Sequence, residues 1–397
     1  MSTSSETKTP APAATIPLCV PEIRGNEWQY VKNCLDTSWV SSVGAYVDRF
    51  EQKMAERLGA PFHGVATVNG TAALHTALLV AGVQPDDEVL VSDLTFIAPA
   101  NAIRYAGAWP VLIDAEPGCW QMDPQQVELF LTRDCEMAGG VLRNRQSGRR
   151  VKAIIPVHIL GHPVDLDPIM ELAGRFDLVV IEDATEGLGG HYRGSPLGGI
   201  GHIGCYSFNG NKMITTGGGG MLVTGNPQWA EKARYLTTQA KDDPLEYIHG
   251  ELGFNYRLTN LQAAMGCAQL EQLDAYLSAK EAIADRYRQE LCMVPGITPM
   301  PTVDYGQSAW WLYTVRVDPA QYGMDRKTLM QRLAAEGIQT RPLWQPLHLS
   351  PVYRQAQRIG GEVSEQLNSS ALSLPCSVGL SAAEQQRVIE ALVRLGG

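Results

Sequence analysis

The amino-acid sequence predicts an α/β protein with a large, mainly parallel sheet, followed by a smaller α+β domain near the C-terminus. Short apolar runs alternate with longer amphipathic segments from about residue 64 to residue 181. Such alternation is typical of parallel strands joined by crossover helices, with ligands bound at the carboxyl ends of the strands. Prolines then interrupt the chain at 295, 299 and 301, and a new strand-like run begins at Trp310. The 397 residues suffice for one large and one smaller domain.

Each element follows from the spacing of its apolar residues. The first elements are two helices, over 25–35 and 46–58. The alternating part predicts strands over 64–68, 88–91, 109–113, 151–158 and 178–181, and helices over 70–81, 95–105, 124–132 and 166–175. A helical region over 259–291, strands over 310–317 and 338–341, and helices over 326–336 and 382–395 follow. Residues 133–150, with two glycines and a basic run, interrupt the alternation, and we expect a solvated loop there.

The composition divides the chain into four parts. Residues 1–16 are rich in Ser, Thr, Pro and Ala, so we expect a disordered tail that lacks the features of a signal peptide. Residues 17–258 form the predicted large α/β domain. Residues 259–295 form a long connecting helical region that the prolines end, and residues 296–397 form the small C-terminal α+β domain.

Charge and cysteine content exclude several classes of function. The net charge of −10 and the pI near 5.3 argue against a surface for nucleic acid or for anionic membranes. No apolar stretch is long enough to span a bilayer, so no membrane partner is expected. The eight cysteines are scattered without a C-x-x-C pair, which indicates reduced thiols in a cytoplasmic protein. No clustered Cys/His spacing supports a metal site.

One lysine and one aspartate indicate a particular chemistry. Lys212 follows Ser207-Phe-Asn-Gly-Asn and precedes a run of four glycines, whereas Asp183 ends the apolar run that begins at Leu178. Alone, Lys212 would be interpreted as an exposed lysine in a turn, and Asp183 as a helix N-cap. Together they are what pyridoxal phosphate chemistry requires, namely a lysine that forms a Schiff base and a carboxylate that holds the pyridinium nitrogen. We therefore predict Lys212 and Asp183 as the catalytic residues.

Further positions are candidates for holding that cofactor. Gly70 and Thr71 follow a strand and open a helix, where the helix dipole and free N–H groups favour a phosphate. The preceding Asn69 is equally a plain helix cap. Ser207 could add a phosphate contact. Phe96 follows a strand end and could stack on the cofactor ring, although an ordinary core aromatic is as good an interpretation without the other motifs.

These motifs, in their order along the chain, resemble the DegT-type (DegT/DnrJ/StrS) sugar aminotransferases, which have the aspartate-aminotransferase-like fold type I. The resemblance covers residues 18 to 397 and rests on ordered segments rather than on a single match. The matching segments are Asn69-Gly-Thr-Ala-Ala-Leu, Asp93-Leu-Thr-Phe-Ile-Ala, Pro156-Val-His, Glu182-Asp-Ala, Ser207-Phe-Asn-Gly-Asn-Lys, Thr215-Thr-Gly-Gly-Gly-Gly-Met and Gly253-Phe-Asn-Tyr-Arg-Leu-Thr-Asn.

The resemblance implies a role for each candidate residue. Lys212 would carry pyridoxal phosphate, Asp183 would pair with its ring nitrogen, and Glu186 would lie near its ring hydroxyl. Gly70, Thr71 and Ser207 would bind the cofactor phosphate, and Phe96 would cover the cofactor ring. Asn255 would reach the cofactor phosphate of a neighbouring subunit, so a homodimer with shared active sites is expected. The sugar-facing candidates are Trp39, Ser41 and His348.

The implied activity is transfer of an amino group from glutamate to C4 of a nucleotide-linked 4-keto-6-deoxy sugar, for a surface polysaccharide. The C-terminal run from Thr340 to His348 is similar to enzymes of the legionaminic-acid, bacillosamine and perosamine pathways. Four departures from the family pattern concern the substrate rather than the reaction: Leu160, Thr185, His202 and Gly219. Three alternatives remain: amination at C3, a sugar dehydratase, which has histidine in place of the lysine, and a non-catalytic regulatory or scaffolding protein.

Overall fold

The structure is a computed structural model, and it describes residues 15–243 and 245–396. Most of the predicted N-terminal tail, residues 1–14, lies outside the described residues. Ile16, the last residue of that predicted tail, is 1% exposed, and its backbone pairs with that of Ile338. The prediction of a tail as far as residue 16 was therefore too long, since Ile16 packs into an apolar core that residues distant in sequence supply.

The helices include those that the apolar spacing predicts and three that it does not, over 227–237, 319–322 and 362–370, and capping side chains mark the start of several of them. Asn69 accepts a hydrogen bond from Ala72 N at 2.8 Å, and Thr259 forms a capping box with Gln262. In chain order the helices are α1 Glu27–Asp36, α2 Ala45–Leu58, α3 Gly70–Val80, α4 Ala98–Tyr105, α5 Pro124–Leu129, α6 Leu166–Phe176, α7 Pro227–Thr237, α8 Asn260–Leu270, α9 Leu273–Leu291, α10 Pro319–Tyr322, α11 Arg326–Ala335, α12 Glu362–Ser370 and α13 Ala382–Leu395.

The strands include short ones that the sequence pattern did not predict. In chain order they are β1 His63–Thr67, β2 Glu88–Ser92, β3 Trp109–Ile113, β4 Cys135–Ala138, β5 Val141–Asn144, β6 Val151–Ile155, β7 Val179–Asp183, β8 His191–Tyr192, β9 Ser195–Pro196, β10 Ile203–Ser207, β11 Gly220–Thr224, β12 Lys241–Asp243, β13 Ile248–His249, β14 Ile297–Pro299, β15 Gly306–Gln307, β16 Tyr313–Val317, β17 Arg341–Pro342, β18 Arg358–Ile359 and β19 Ala371–Leu374.

A mainly parallel sheet forms the centre of the large domain, as the sequence predicts. Its strand order is β1-β11-β10-β7-β6-β2-β3-β18, and β11 alone runs antiparallel to its neighbours. The central strands β2 and β7 are buried along their whole length, as strands covered on both faces must be. The carboxyl ends of the parallel strands therefore meet at one edge, where the candidate residues follow them in sequence.

The interruption over residues 133–150 is not the solvated loop that we predicted. Strands β4 and β5 pair as an antiparallel hairpin there. The side chain of Asn144 is fully buried and donates to Glu88 at 2.7 Å and to Gln357 at 2.6 Å. The prediction was wrong because glycines and arginines mark the exposed turn, whereas the buried asparagine that fixes the hairpin has no apolar signature.

The C-terminal part has its own antiparallel sheet, in the order β14-β16-β19-β17. This sheet packs with α9, α11 and α13 around an apolar core that includes Tyr313, Leu333 and Leu392. The two parts exchange segments across the predicted boundary. Strand β18 joins the large sheet, whereas Ile16 pairs with Ile338 and Leu18 O accepts from Cys376 N in the C-terminal part. In the described part of the chain, no helix is long and apolar enough to cross a membrane.

Candidate active site

A cleft with a volume of about 370 Å³ opens at the carboxyl ends of the large sheet's parallel strands. Its large-domain wall comes from residues that follow β1, β2, β6, β7 and β10, and its opposite wall comes from the C-terminal part of the chain. Six of the predicted site residues line it: Gly70, Thr71, Phe96, Glu186, Ser207 and Lys212. These residues are up to 142 positions apart in sequence, and they lie together because the strand ends that precede them meet at one edge of the sheet.

The start of α3 forms an anion-binding corner of the cleft. The backbone N–H groups of Gly70 and Thr71 lie in the first helical turn and have no intrahelical acceptor. The Ser207 side chain stands so close that a Cβ added to Gly70 would meet its Cβ at 2.9 Å. Free N–H groups, the helix dipole and the Thr71 and Ser207 hydroxyls together match the oxygens of a phosphate ester.

Lys212 projects into the same cleft from the loop that joins β10 to β11. Its side chain is 13% exposed, with Nζ 3.6 Å from Oε1 of Glu186 and 3.9 Å above the centre of the Trp311 ring. The loop is anchored on both sides, because Asn211 O accepts from Trp311 Nε1 at 2.7 Å and Thr215 N donates to Gln269 at 3.1 Å. The amine is therefore held in place while remaining open to the cleft.

Asp183 ends β7 and is 2% exposed. Thr185 N donates to its Oδ1 at 3.1 Å, and none of the described residues offers it an ion pair within 4 Å. Burial raises the pKa of this carboxyl, while Thr185, Lys212 and His158 partly oppose the shift. A buried carboxylate without a cationic partner favours a ligand that brings a positive charge to it.

Glu186 lies three residues further along and faces Lys212. Its Oε2 accepts from Leu160 N at 2.7 Å, and burial raises its pKa to about 7, although Lys212 opposes the shift. A carboxyl that is half protonated near neutral pH, next to an amine, can accept or return a proton during a reaction. The sequence pattern did not predict that property of Glu186.

Phe96 is 54% exposed because α4 starts at Ala98, later than predicted, and leaves the ring in the preceding loop. A ring in this position is not the core aromatic that was the alternative interpretation. Among the described residues, no group of three or more His, Cys, Asp or Glu side chains is placed to hold a metal ion.

Five predicted residues do not line this cleft: the buried Asp183, although its neighbours Thr185 and Glu186 do, and Trp39, Ser41, Asn255 and His348. Trp39 is 56% exposed, and Ser41 and Asn255 are also exposed, all of them outside the cleft. His348 is 6% exposed, and both its ring nitrogens are engaged, with Asp93 at 2.5 Å and Glu365 at 2.9 Å. His348 therefore joins the segment after β17 to the loop after β2 and offers no free nitrogen to a sugar within this chain.

The sequence analysis missed the residues of the opposite wall: Trp311, Arg341, Leu343, Trp344 and Ser373. The Trp311 and Trp344 rings are nearly parallel, with centres 6.1 Å apart. The exposed Arg341 has no ion pair within 4 Å among the described residues, so it supplies an uncompensated positive charge. Two signals could have indicated this wall: the pair Trp310-Trp311 at the start of a predicted strand, and the run from Thr340 to His348, which was noted only for its resemblance.

A lysine amine and an unpaired carboxylate next to an anion-binding helix terminus define an enzyme of the pyridoxal-phosphate-dependent class. The residues present fit that cofactor. The corner at Gly70 suits its phosphate, and the carboxylate of Asp183 suits its ring nitrogen when that nitrogen is protonated. When bound, pyridoxal phosphate supplies an electrophilic carbon and a ring that withdraws electrons from the carbon attached to the transferred nitrogen.

Comparison with known proteins identifies the family within this class. The model of the DegT/DnrJ/EryC1/StrS aminotransferase family matches residues 21–393, and the chain belongs to this family. GDP-perosamine synthase of Caulobacter vibrioides is 40% identical over 378 residues, which span 95% of this chain and 97% of that protein. The putative pyridoxal phosphate-dependent aminotransferase EpsN of Bacillus subtilis is 39% identical over 382 residues, 95% of each chain.

A solved structure agrees with this assignment. The DegT DnrJ EryC1 StrS aminotransferase from Brucella abortus is 30% identical to this chain and superposes with a TM-score of 0.85. The match covers 94% of this chain and 95% of that one. The predicted fold class, enzyme class and cofactor are therefore confirmed. The protein is a pyridoxal-phosphate-dependent nucleotide-sugar transaminase.

Proposed function

We propose that this enzyme transfers the amino group of glutamate to C4 of a GDP-linked 4-keto-6-deoxy sugar, giving a GDP-linked 4-amino-4,6-dideoxy sugar of the perosamine type. The observation that carries the proposal is the similarity to GDP-perosamine synthase over nearly the whole of both chains. This similarity supports GDP over UDP and C4 over C3, two choices that the sequence motifs leave open. The product would serve surface-polysaccharide synthesis.

The cleft supplies a residue for each step of this reaction. The N–H groups of Gly70 and Thr71 and the Ser207 hydroxyl hold the cofactor phosphate, and Asp183 keeps the ring nitrogen protonated. Phe96 covers one side of the cofactor. Lys212 Nζ is the base that moves a proton to and from the carbon bearing the transferred nitrogen.

Two further side chains assist that proton movement and the binding of anions. Glu186 takes a proton from, or returns one to, Lys212 Nζ, which lies 3.6 Å from its Oε1. Arg341 attracts the carboxylates of glutamate and the diphosphate of the sugar nucleotide, since both carry negative charge and Arg341 has no acidic neighbour within 4 Å among the described residues.

The test is a pair of half-reactions followed by the visible absorbance of the bound cofactor. Glutamate is added first, and then a panel of GDP- and UDP-linked 4-keto and 3-keto sugars, with the aminated product identified by mass and by NMR. We expect the spectrum to recover with a GDP-linked 4-keto-6-deoxy sugar and the new nitrogen to lie at C4. Recovery only with a UDP-linked or a 3-keto sugar would overturn the substrate assignment and leave the reaction class standing.

Two variants separate the role of Lys212 from a general effect of removing a lysine. Lys212→Ala should lose covalent cofactor attachment and turnover. Lys53→Ala removes an exposed lysine of α2 that pairs with Glu56, and it should behave like the wild type. Equal activity of the two variants would remove Lys212 from the mechanism, and a non-catalytic role would then have to be considered again.

We also propose that the active enzyme is a homodimer in which Asn255 enters the partner's cleft. Supporting this, Asn255 is exposed and lies outside the cleft of its own chain. Large apolar side chains nearby are strongly exposed, namely Leu245 (85%), Tyr247 (67%) and Leu252 (82%). Apolar side chains left exposed together on one segment are typical of surfaces that a partner covers.

Mixing two inactive variants tests the shared site. Lys212→Ala and Asn255→Ala each damage both sites of a homodimer, but a mixed dimer holds one site with both residues intact. Partial recovery of activity after subunit exchange would support a shared site. A monomer in solution, or no recovery despite demonstrated exchange, would contradict it.

A further inference from the structure

The most unusual charged group outside the cleft is Lys280, in the middle of α9. Its side chain is 2% exposed, and Nζ donates to Trp311 O at 2.8 Å and to Cys376 O at 2.6 Å. No carboxylate lies within 4 Å of it among the described residues. A buried ammonium of this kind requires an anion close by, because carbonyl dipoles alone do not offset the loss of water around a charge.

Two thiols occupy the place of that anion. Nζ of Lys280 lies 3.6 Å from Sγ of Cys376 and 3.9 Å from Sγ of Cys19, so both sulfurs face the same buried ammonium. The neighbouring Cys19 side chain and the charge of Lys280, against the effect of burial, lower the pKa of Cys376 to about 6. The Cys376 side chain and burial raise the pKa of Cys19 well above its ordinary value. The Cys376 thiol therefore ionises more readily than the Cys19 thiol.

The backbone holds these two cysteines side by side although they are 357 residues apart in sequence. Cys376 N donates to Leu18 O at 2.8 Å, and Val20 N donates to Ser377 Oγ at 3.0 Å. The flanking residues of each cysteine are thus fixed against those of the other. A disulfide between them would require the two sulfurs to approach each other to about 2.05 Å.

The cysteine pair also contacts the loop that carries the active-site lysine. Sγ of Cys19 lies 3.5 Å from the carbonyl oxygen of Asn211, the residue immediately before Lys212. The same oxygen accepts the indole N–H of Trp311, whose own carbonyl accepts from Lys280. A change at the two sulfurs therefore alters the anchoring of Lys212.

We propose that Cys19 and Cys376 form a redox-active dithiol that closes reversibly to a disulfide next to the Lys212 loop, with Lys280 stabilising its thiolate form. The oxidant is hydrogen peroxide. The thiolate attacks one peroxide oxygen, the O–O bond breaks, and a sulfenic acid forms while the other oxygen leaves as water after protonation. The second thiol then attacks that sulfur, the S–S bond forms, and a second water leaves. Two electrons pass from the sulfurs to the peroxide, and a dithiol reductant reverses the change.

Closure removes the thiol proton that Cys19 donates to the Asn211 carbonyl and draws residues 19 and 376 together. The Lys212 loop should shift as a result. Because a displacement of about 1 Å at a reacting group costs up to about a hundredfold in rate, we expect oxidation to slow the glutamate half-reaction by about tenfold. This half-reaction involves no sugar, so its result does not depend on which nucleotide sugar is the substrate.

The experiment uses the cofactor-loaded enzyme and hydrogen peroxide as the probe. We expect the intact mass to fall by two hydrogens, a linked peptide containing Cys19 and Cys376 to appear in a non-reducing digest, and the glutamate half-reaction to slow. Dithiothreitol should reverse all three changes. Peptide mapping reads out the bond directly and does not depend on enzyme activity.

Three variants control the interpretation. Cys19→Ser keeps a hydroxyl donor for Asn211 and should stay active and lose the peroxide response, whereas Cys292→Ser, which removes an exposed thiol, should retain it. Lys280→Arg keeps the buried positive charge and should form the disulfide. Lys280→Met, once its melting temperature has shown that the variant folds, should form the disulfide more slowly. Oxidation of Cys292 without the Cys19–Cys376 peptide would overturn the proposal, and so would a complete disulfide that leaves the half-reaction rate unchanged.

Discussion

Replacing Gly70 with alanine tests the anion-binding corner of the cleft. The added Cβ would stand 2.9 Å from Cβ of Ser207, 3.2 Å from Cγ2 of Thr185 and 3.3 Å from Oγ of Ser207. Carbon atoms in proteins approach to roughly 3.5–4.0 Å, so the two carbon–carbon contacts are too short. Because Ser207 belongs to β10 and is paired with β11, the strand cannot move away freely.

The cost of this crowding falls on cofactor binding. Overpacking by one methyl group costs about 1–3 kcal/mol, which corresponds to a dissociation constant for pyridoxal phosphate raised by about 5- to 150-fold. The expected mechanism is that Ser207 turns away from the start of α3 and no longer completes the phosphate site. The dissociation constant is measured by titrating the apoprotein with cofactor and following absorbance.

A second glycine supplies the matched control. Gly174 lies in α6, where an added Cβ has nothing within 4 Å, so Gly174→Ala should leave cofactor affinity unchanged and stabilise the fold by about 0.5–1 kcal/mol. If Gly70→Ala bound the cofactor as tightly as Gly174→Ala, the assignment of the phosphate to this corner would be refuted.

Three further outcomes are expected. Asp183→Asn should fold and lower kcat by about a hundredfold or more, because the neutral amide cannot stabilise a protonated ring nitrogen. The control, Asp177→Asn, lies at an exposed position with left-handed backbone after α6 and should have little effect on kcat. Burial raises the pKa of Glu186 to about 7, so this carboxyl binds an extra proton in the folded apoprotein between pH 4.5 and 7. As pH rises through that window, the wild type should lose about 3 kcal/mol of stability relative to Glu186→Gln, and the melting temperatures of the two proteins should diverge. Melting temperatures that change in parallel with pH would contradict the assignment. Asn144→Leu should destabilise the protein by about 1–3 kcal/mol in chemical denaturation, because Glu88 and Gln357 lose a buried donor, and an unchanged midpoint would show that the hairpin does not depend on it.

The sequence predicted the part of the site that lies on the large sheet. Ser207 and Lys212 were identified from their motif, which lies beyond the alternation over 64–181. Gly70 and Glu186 follow strands of that alternation, and the topology of a parallel sheet brings strand ends together. Local periodicity is enough to locate such residues before any contact is known. The mainly parallel sheet itself was predicted for the same reason.

The rest of the site depends on contacts between distant segments, which one sequence does not reveal. Trp311 and Arg341 face Lys212 because the C-terminal part folds back over the sheet. His348 was assigned to the substrate from its motif, but the buried Asp93 and Glu365 engage both its ring nitrogens. The pairing of Cys19 with Cys376 could not be predicted either, since no spacing rule connects positions at opposite ends of the chain.

The central claim is that Lys212 is the residue that carries the cofactor in this cleft. Borohydride treatment of the cofactor-loaded enzyme fixes pyridoxal phosphate to the lysine that bears it, and peptide mass spectrometry then locates the modification. The account predicts one modified peptide, with the added mass on Lys212, and none when the enzyme is first treated with glutamate. A modification on another lysine, or none in an enzyme that still transfers nitrogen from labelled glutamate to a keto-sugar, would contradict it.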